Sequence, residues 1–180
     1  METKTNIELF DELTSLCNIF SEKKINYALI GGLALGFHHY HRATMDIDFL
    51  IQKSDMESVK EILCEIKKLE VFYESSEVLQ LNGPVDLDII WASRPDSLKM
   101  LQNAMAKEEK IRVVNLHDLV GLKIQSMTND SRRKFKDLSD IQMVLENNLD
   151  EIDWIKIKYY ADLFNQWPVL EMIKKDLQNV

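Results

Sequence analysis

Between Gly31 and Ile51 the chain reads GGLALGFHHYHRATMDIDFLI, a glycine pair followed thirteen residues later by two aspartates that flank one isoleucine. The run Tyr27-Ala28-Leu29-Ile30 predicts a short strand, the glycines turn it into a helix over Leu33 to Tyr40, and Asp46 to Ile51 predicts a second strand. Glycines that lead into a helix present unpaired backbone N–H groups, and these attract phosphate. Strand alternation sets Asp46 and Asp48 on one face, where two carboxylates can share a divalent cation. Phosphate on one side and metal on the other is a layout suited to a nucleoside triphosphate.

Composition narrows the surroundings. At 180 residues with 46% apolar side chains, the chain is expected to form one domain with a helical appendage. Its 22 basic and 30 acidic side chains give a net charge of −8, which argues against general DNA or RNA binding, because that requires many neutralised phosphates. Cys17 and Cys64 both sit in helical apolar patterns, which points to a reducing interior. The segment METKTNIELFDEL lacks the basic and apolar regions of a signal peptide, and no run reaches membrane-spanning length. A cytoplasmic protein without membrane association is expected.

Helices and strands alternate along the chain. Phe10, Leu13, Leu16, Cys17 and Phe20 predict an amphipathic helix over Ile7 to Phe20. Ser54 and Glu57 fit a capping box ahead of a helix burying Val59, Ile62, Leu63, Ile66 and Leu69. Val71 to Glu74, Val78 to Leu81 and Val85 to Trp91 predict strands, with a turn at Asn82-Gly83-Pro84, so the sheet should hold about four or five strands. Pro95 opens a helix to about Lys107, Ile111 to Val114 is a further strand, and from Leu116 onward the chain is nearly all helical. The last thirty residues read as two helices split near Trp167-Pro168; their apolar residues encircle the helix, which predicts core packing or a dimer contact. In Val85-Asp86-Leu87-Asp88-Ile89-Ile90 a second aspartate pair shares a strand face, and alternation alone does not choose between Asp86 and Asp88.

Gly31-Gly32, Arg42, Thr44, Asp46 and Asp48 together resemble the GG or GS…RxTxDIDF motif of the nucleotidyltransferase superfamily, in its small bacterial minimal and antitoxin-associated members. The resemblance covers residues 25 to 145 and implies an α/β (α+β) fold, a mixed β-sheet flanked by helices. The expected boundaries are a nucleotidyltransferase-like domain over 1–147 and a helical C-terminal extension over 148–180 packed on it. The implied activity is transfer of a nucleoside monophosphate from an NTP to an acceptor hydroxyl, with Mg²⁺ or Mn²⁺ bound and pyrophosphate released. Gly31 and Gly32 would hold phosphates, Arg42 and Thr44 would border them, and Asp46 and Asp48 would bind the metal. In the resembled family a carboxylate on a later strand completes the metal site and activates the acceptor. Motif position favours Asp86 for this, with Asp88 as the reserve, so the expected metal set is Asp46, Asp48, Asp86 and Asp88.

Asp118-Leu119-Val120-Gly121-Leu122-Lys123 and Arg133-Lys134-Phe135-Lys136-Asp137-Leu138-Ser139-Asp140 resemble two helical motifs of the same group. The resemblance implies that Lys123 reaches nucleotide phosphates, with Asp137 orienting Lys123 or Lys136 and with Arg132, Arg133 and Lys136 forming a local basic patch.

Other readings fit the residues less well. A haloacid-dehalogenase-type phosphatase also uses DxD, but there an apolar strand precedes the pair, and here it follows. No GxxxxGK[ST] loop or dinucleotide fingerprint is present. His38, His39 and His41 lack the cysteine or HExxH partners of a zinc site and suit a helix C-terminus. Gly32 replaces the serine of many relatives, and no separate acceptor domain is visible, so a protein, an RNA end and a small molecule all stay open as acceptor. The alternative from another class is a non-catalytic nucleotide-binding or antitoxin-like protein that keeps the fold, with a homodimer or a partner protein in either case.

Overall fold

Alternating burial fixes the central strands. In β2 (Asp46–Gln52) Ile47 and Phe49 are fully buried while Asp46 and Asp48 are half-exposed, and in β5 (Asp86–Ala92) Leu87 and Ile89 are buried while Asp86 and Asp88 take the other face. The structure, a computed structural model, describes residues 6–107 and 111–178. Its strands are β1 (Tyr27–Ile30), β2, β3 (Glu70–Glu74), β4 (Val78–Asn82), β5, β6 (Met105–Ala106) and β7 (Arg112–Val113). They form one sheet in the order β3-β4-β5-β2-β1-β7-β6. β2 runs parallel to β5 and β1 parallel to β7; the remaining pairs are antiparallel, which makes the sheet mixed.

The sheet has seven strands where four or five were expected. Part of the difference is the two-residue strand β6, which sits where the sequence predicts helix. The helix opened by Pro95, α4 (Pro95–Asn103), ends early, because Met105 and Ala106 pair with Val113 and Arg112. The first helix, α1 (Asn6–Glu22), buries Leu9, Leu13, Leu16, Cys17 and Phe20, whereas Phe10 lies 37% exposed. Phe20, Tyr27 and Phe49 meet with ring centroids 5.4 to 5.5 Å apart and join α1, β1 and β2 in one aromatic core.

Two local expectations change. The helix after the glycine pair, α2 (Gly31–Gly36), begins two residues early and stops four residues short of Tyr40, since His38 and Tyr40 both donate backbone N–H groups to the Leu35 carbonyl. The capping box at Ser54 does not form. Lys53–Asp55 is a 3₁₀ turn, the Ser54 hydroxyl bonds Asp55, and α3 (Met56–Lys60) starts beyond it and widens into a π-helical stretch over Glu61–Ile66. The wider turn leaves Ile66 56% exposed while Val59, Ile62 and Leu63 remain buried.

The chain divides into two compact units: residues 1–34 with 42–115, which hold the sheet, and residues 35–41 with 116–180, which are helical. The second unit contains α5 (Leu116–Asn129), α6 (Lys134–Glu146), α7 (Trp154–Leu163) and α8 (Trp167–Leu177). The sequence boundary at 147–148 therefore falls inside this unit. Gly121 lets α5 and α7 approach, because a Cβ there would stand 2.7 Å from the Tyr160 ring, and the Tyr160 hydroxyl donates to Asp118 at 2.6 Å. Asn148 donates its amide to the carbonyls of His38 and Val144, which ties residues 35–41 to the end of α6.

Candidate active site

Parallel pairing of β2 with β5 builds the site. Asp46 stands beside Asp86 and Asp48 beside Asp88, so four aspartates fall on one face of two adjacent strands. The structure gathers three of them: Asp46, Asp48 and Asp88 each offer an oxygen, and these oxygens lie within 4.8 Å of one another. Among the described residues this is the one such group of three or more His, Cys, Asp or Glu side chains. Hard oxygen donors at this spacing fit Mg²⁺ or Mn²⁺, and the absence of thiolate or imidazole donors disfavours zinc. Asp86, the first choice from motif position, lies outside the group, exposed at the opening residue of β5.

Neighbouring polar side chains aim these carboxylates. The Thr44 hydroxyl donates to Asp46. On β4, Gln80 pairs in register with Asp88, and its amide nitrogen lies 3.1 Å from both carboxylate oxygens. Gln80 lies outside the motifs that single out the other site residues. Its signal is the alternation of buried Leu79 and Leu81 about Gln80, which puts an amide on the aspartate face.

The glycine bend is packed against the same carboxylates. Gly31 has φ +68°, and a Cβ there would fall 1.8 Å from an oxygen of Asp48. Both the backbone conformation and the contact require glycine. A Cβ on Gly32 would meet the Thr44 hydroxyl at 2.5 Å and the Arg42 guanidinium at 3.3 Å, so a serine at this position would crowd Thr44. Arg42 donates to the Ala43 carbonyl at 3.0 Å. Because α2 spans six residues, the individual amides of the bend carry more weight there than the helix dipole.

Lys123 belongs to α5 of the second unit. It is 4% exposed, with its ammonium 3.2 Å from Asp137 and 2.6 Å from Asp140, and Arg133 reaches the other oxygen of Asp137 at 3.4 Å. The expected link between Lys123 and Asp137 is present, and Asp140 joins it. Arg132 is instead turned to Asp130, which it holds below the usual carboxylate range through its side-chain and backbone hydrogen bonds.

No helix among the described residues is long and apolar enough to cross a membrane. No curated protein sequence matches the chain at a significant level. Solved structures do. The antibiotic-resistance factor ANT(2'')-Ia is similar with a TM-score of 0.67 at 14% identity, covering 97% of this chain and all (100%) of that one. A putative nucleotidyltransferase from Thermotoga maritima matches at TM-score 0.56 and 14% identity over 73% of this chain and 92% of its own. Lincomycin-bound lincosamide antibiotic adenylyltransferase LnuA matches at TM-score 0.54 and 16% identity over 78% of this chain and 98% of its own. These likenesses agree with the mixed sheet and its helices. Residues 15–167 match the profile of the nucleotidyl transferase AbiEii toxin of type IV toxin–antitoxin systems, and with that match spanning most of its length the chain belongs to this nucleotidyltransferase family.

Proposed function

We propose that the protein transfers a nucleoside monophosphate from an NTP to an acceptor hydroxyl, with Asp46, Asp48 and Asp88 holding Mg²⁺ or Mn²⁺. The observation that carries this reading is the convergence of three carboxylates from two parallel strands within 4.8 Å, beside a glycine bend that touches one of them. Bound metal would supply charge neutralisation at the triphosphate and a lowered pKa for the acceptor hydroxyl. The backbone amides of Gly31 and Gly32 and the guanidinium of Arg42 are the groups we assign to the phosphates, and Thr44 holds Asp46 in place for them.

In the proposed step the acceptor oxygen forms a bond to the α-phosphorus, the bond from that phosphorus to the bridging oxygen breaks, and pyrophosphate leaves with the electron pair. The acceptor proton passes to Asp88. Membership of the three-carboxylate group favours Asp88 over Asp86 for this role. Lys123 is held by Asp137 and Asp140 within the second unit, and the proposed step gives it no role. We place the reaction in the cytoplasm, with an antitoxin as the partner the family description points to.

The test is incubation of the protein with each labelled NTP, Mg²⁺ or Mn²⁺ and total cell extract, followed by separation into protein, RNA and small molecules. Label in one fraction identifies base and acceptor. Metal-dependent NTP binding with no label in any fraction would overturn the transferase reading in favour of a nucleotide sensor.

A further inference from the structure

Helix α7 is apolar on two opposite faces. Ile157 and Ala161 are buried in the second unit, where α7 packs against α5 and α8. Ile155, Tyr159 and Leu163, four residues apart, form a second ridge that is 84%, 50% and 50% exposed. At about 100° per residue this ridge points roughly 180° away from the buried face. A helix that serves a core needs one apolar stripe; a second, exposed stripe is the mark of a contact surface. The ridge borders a groove of about 370 Å³ lined by Trp154, Ile155, Tyr159 and Trp167.

The charges beside the ridge indicate what covers it. Lys158 and Asp162 lie on the same flank and bridge each other at 2.6 Å. One base and one acid in that order are self-complementary across a two-fold axis; Lys174, over the Trp154 ring, lines the groove beyond them, and the chain's net charge of −8 disfavours a nucleic acid there. We infer that α7 is the contact of a two-fold homodimer, with the ridges of two copies lying antiparallel and centred on Tyr159. Ile155 of each copy then packs on Leu163 of the other. The symmetry axis brings like flanks together, so Lys158 of each copy faces Asp162 of the other and the two internal bridges merge into a four-membered ring of alternating charge. This inference is independent of the transfer reaction.

Light scattering on the full chain should give twice the chain mass at micromolar concentration. In a Cys64→Ser background, Tyr159→Cys should form a disulfide dimer on oxidation, because residues on the axis approach within bonding range, whereas Lys156→Cys, displaced along the helix on the other flank, should not. Leu163→Lys should raise the dimer dissociation constant at least about tenfold, with helical content unchanged because the side chain is half-exposed. Should Leu163→Lys lose helical content, Ile155→Lys replaces it. Lys158→Glu alone should weaken the dimer severalfold, and Lys158→Glu with Asp162→Lys should restore it. A monomer at every concentration, equal cross-linking from residues 156 and 159, or a dimer indifferent to these substitutions would each overturn the inference; a monomer that binds another protein through this ridge would also do so.

Discussion

Two groups of carboxylates, one in each unit, show how the same residue type serves opposite ends. Asp137 and Asp140 are 0% and 2% exposed and are settled internally, by an ammonium at 3.2 and 2.6 Å. Asp46, Asp48 and Asp88 are partly buried on one sheet face, where a hydroxyl and an amide orient two of them. A carboxylate taken out of water needs a counter-charge from the chain itself, or folding fails. Three partly exposed carboxylates that converge on one face can also bind a cation from solution. Burial therefore separates a group that stabilises the chain from one that the chain tolerates for its chemistry.

That contrast predicts opposite outcomes for charge removal. Asp46→Asn, Asp48→Asn and Asp88→Asn should each lower nucleotidyl transfer by about a thousandfold or more, since each removes a ligand that must act in the transition state. The same variants should unfold in urea at an unchanged or higher midpoint, because each relieves like-charge repulsion. Asp86→Asn is the comparison variant and should keep transfer within severalfold. If Asp86→Asn were as damaging as Asp88→Asn, the choice between them made from the three-carboxylate geometry would be wrong.

In the second unit the loss should appear as stability. Lys123→Met removes the ammonium shared by two buried carboxylates and should cost about 3 to 5 kcal/mol in urea unfolding. Replacing Asp137 and Asp140 by leucine in the same chain should recover much of it, since an apolar trio needs no counter-charge. If Lys123→Met unfolded like wild type yet abolished transfer, the ion-pair cluster would belong to the reaction and the contrast between the two units would fail.

A smaller effect sharpens the site itself. Gln80→Leu keeps the side-chain volume but removes the amide that spans both oxygens of Asp88, and should lower transfer by about tenfold, roughly 1.4 kcal/mol. Mn²⁺ affinity, followed by electron paramagnetic resonance, should fall with it. Unchanged affinity and unchanged transfer would reduce Gln80 to a cross-strand contact.

How far the sequence discloses this arrangement depends on the range of the interactions. Asp46 and Asp48 are legible because alternation within one strand is local. The choice between Asp86 and Asp88 is not: residues two apart share a face, and the distinction arises from where β5 lies against β2, a pairing between residues forty positions apart. Lys123 reads from its motif as a charge that reaches nucleotide phosphates; its burial between α5 and α6, paired with Asp137 and Asp140, is something no single-helix pattern reveals. The strands β1 and β2 were legible to within a residue, whereas β6, two residues long, exists only through its partner β7. Gly32 appeared as a lost serine, and the structure gives a steric reason for it in Thr44.

The smallest expected effect is a pH dependence confined to the second unit. His117, at the start of α5, accepts the Asp153 backbone N–H through Nε2 at 2.8 Å, which requires that nitrogen to be unprotonated. Burial, with help from the charge of Lys156 and against Asp153 and Asp118, holds its pKa below the usual value of about 6.5. As pH falls below about 6.5, the unfolded chain takes up a proton that the folded chain still refuses, so stability declines until the lowered folded pKa is passed; above about 6.5 the group contributes no slope. Because the ring is half-exposed, solvent screens much of this, and cooling of the melting midpoint between about pH 7.5 and about pH 5.5 should be no more than about 2 °C. His117→Gln keeps an acceptor that does not titrate and should lose that increment. Asp130 and Asp153, both held below the usual carboxylate range by their hydrogen bonds to Arg132 and to the start of α7, titrate below this window and leave the comparison clean. An identical pH slope in the variant would assign the effect to other groups.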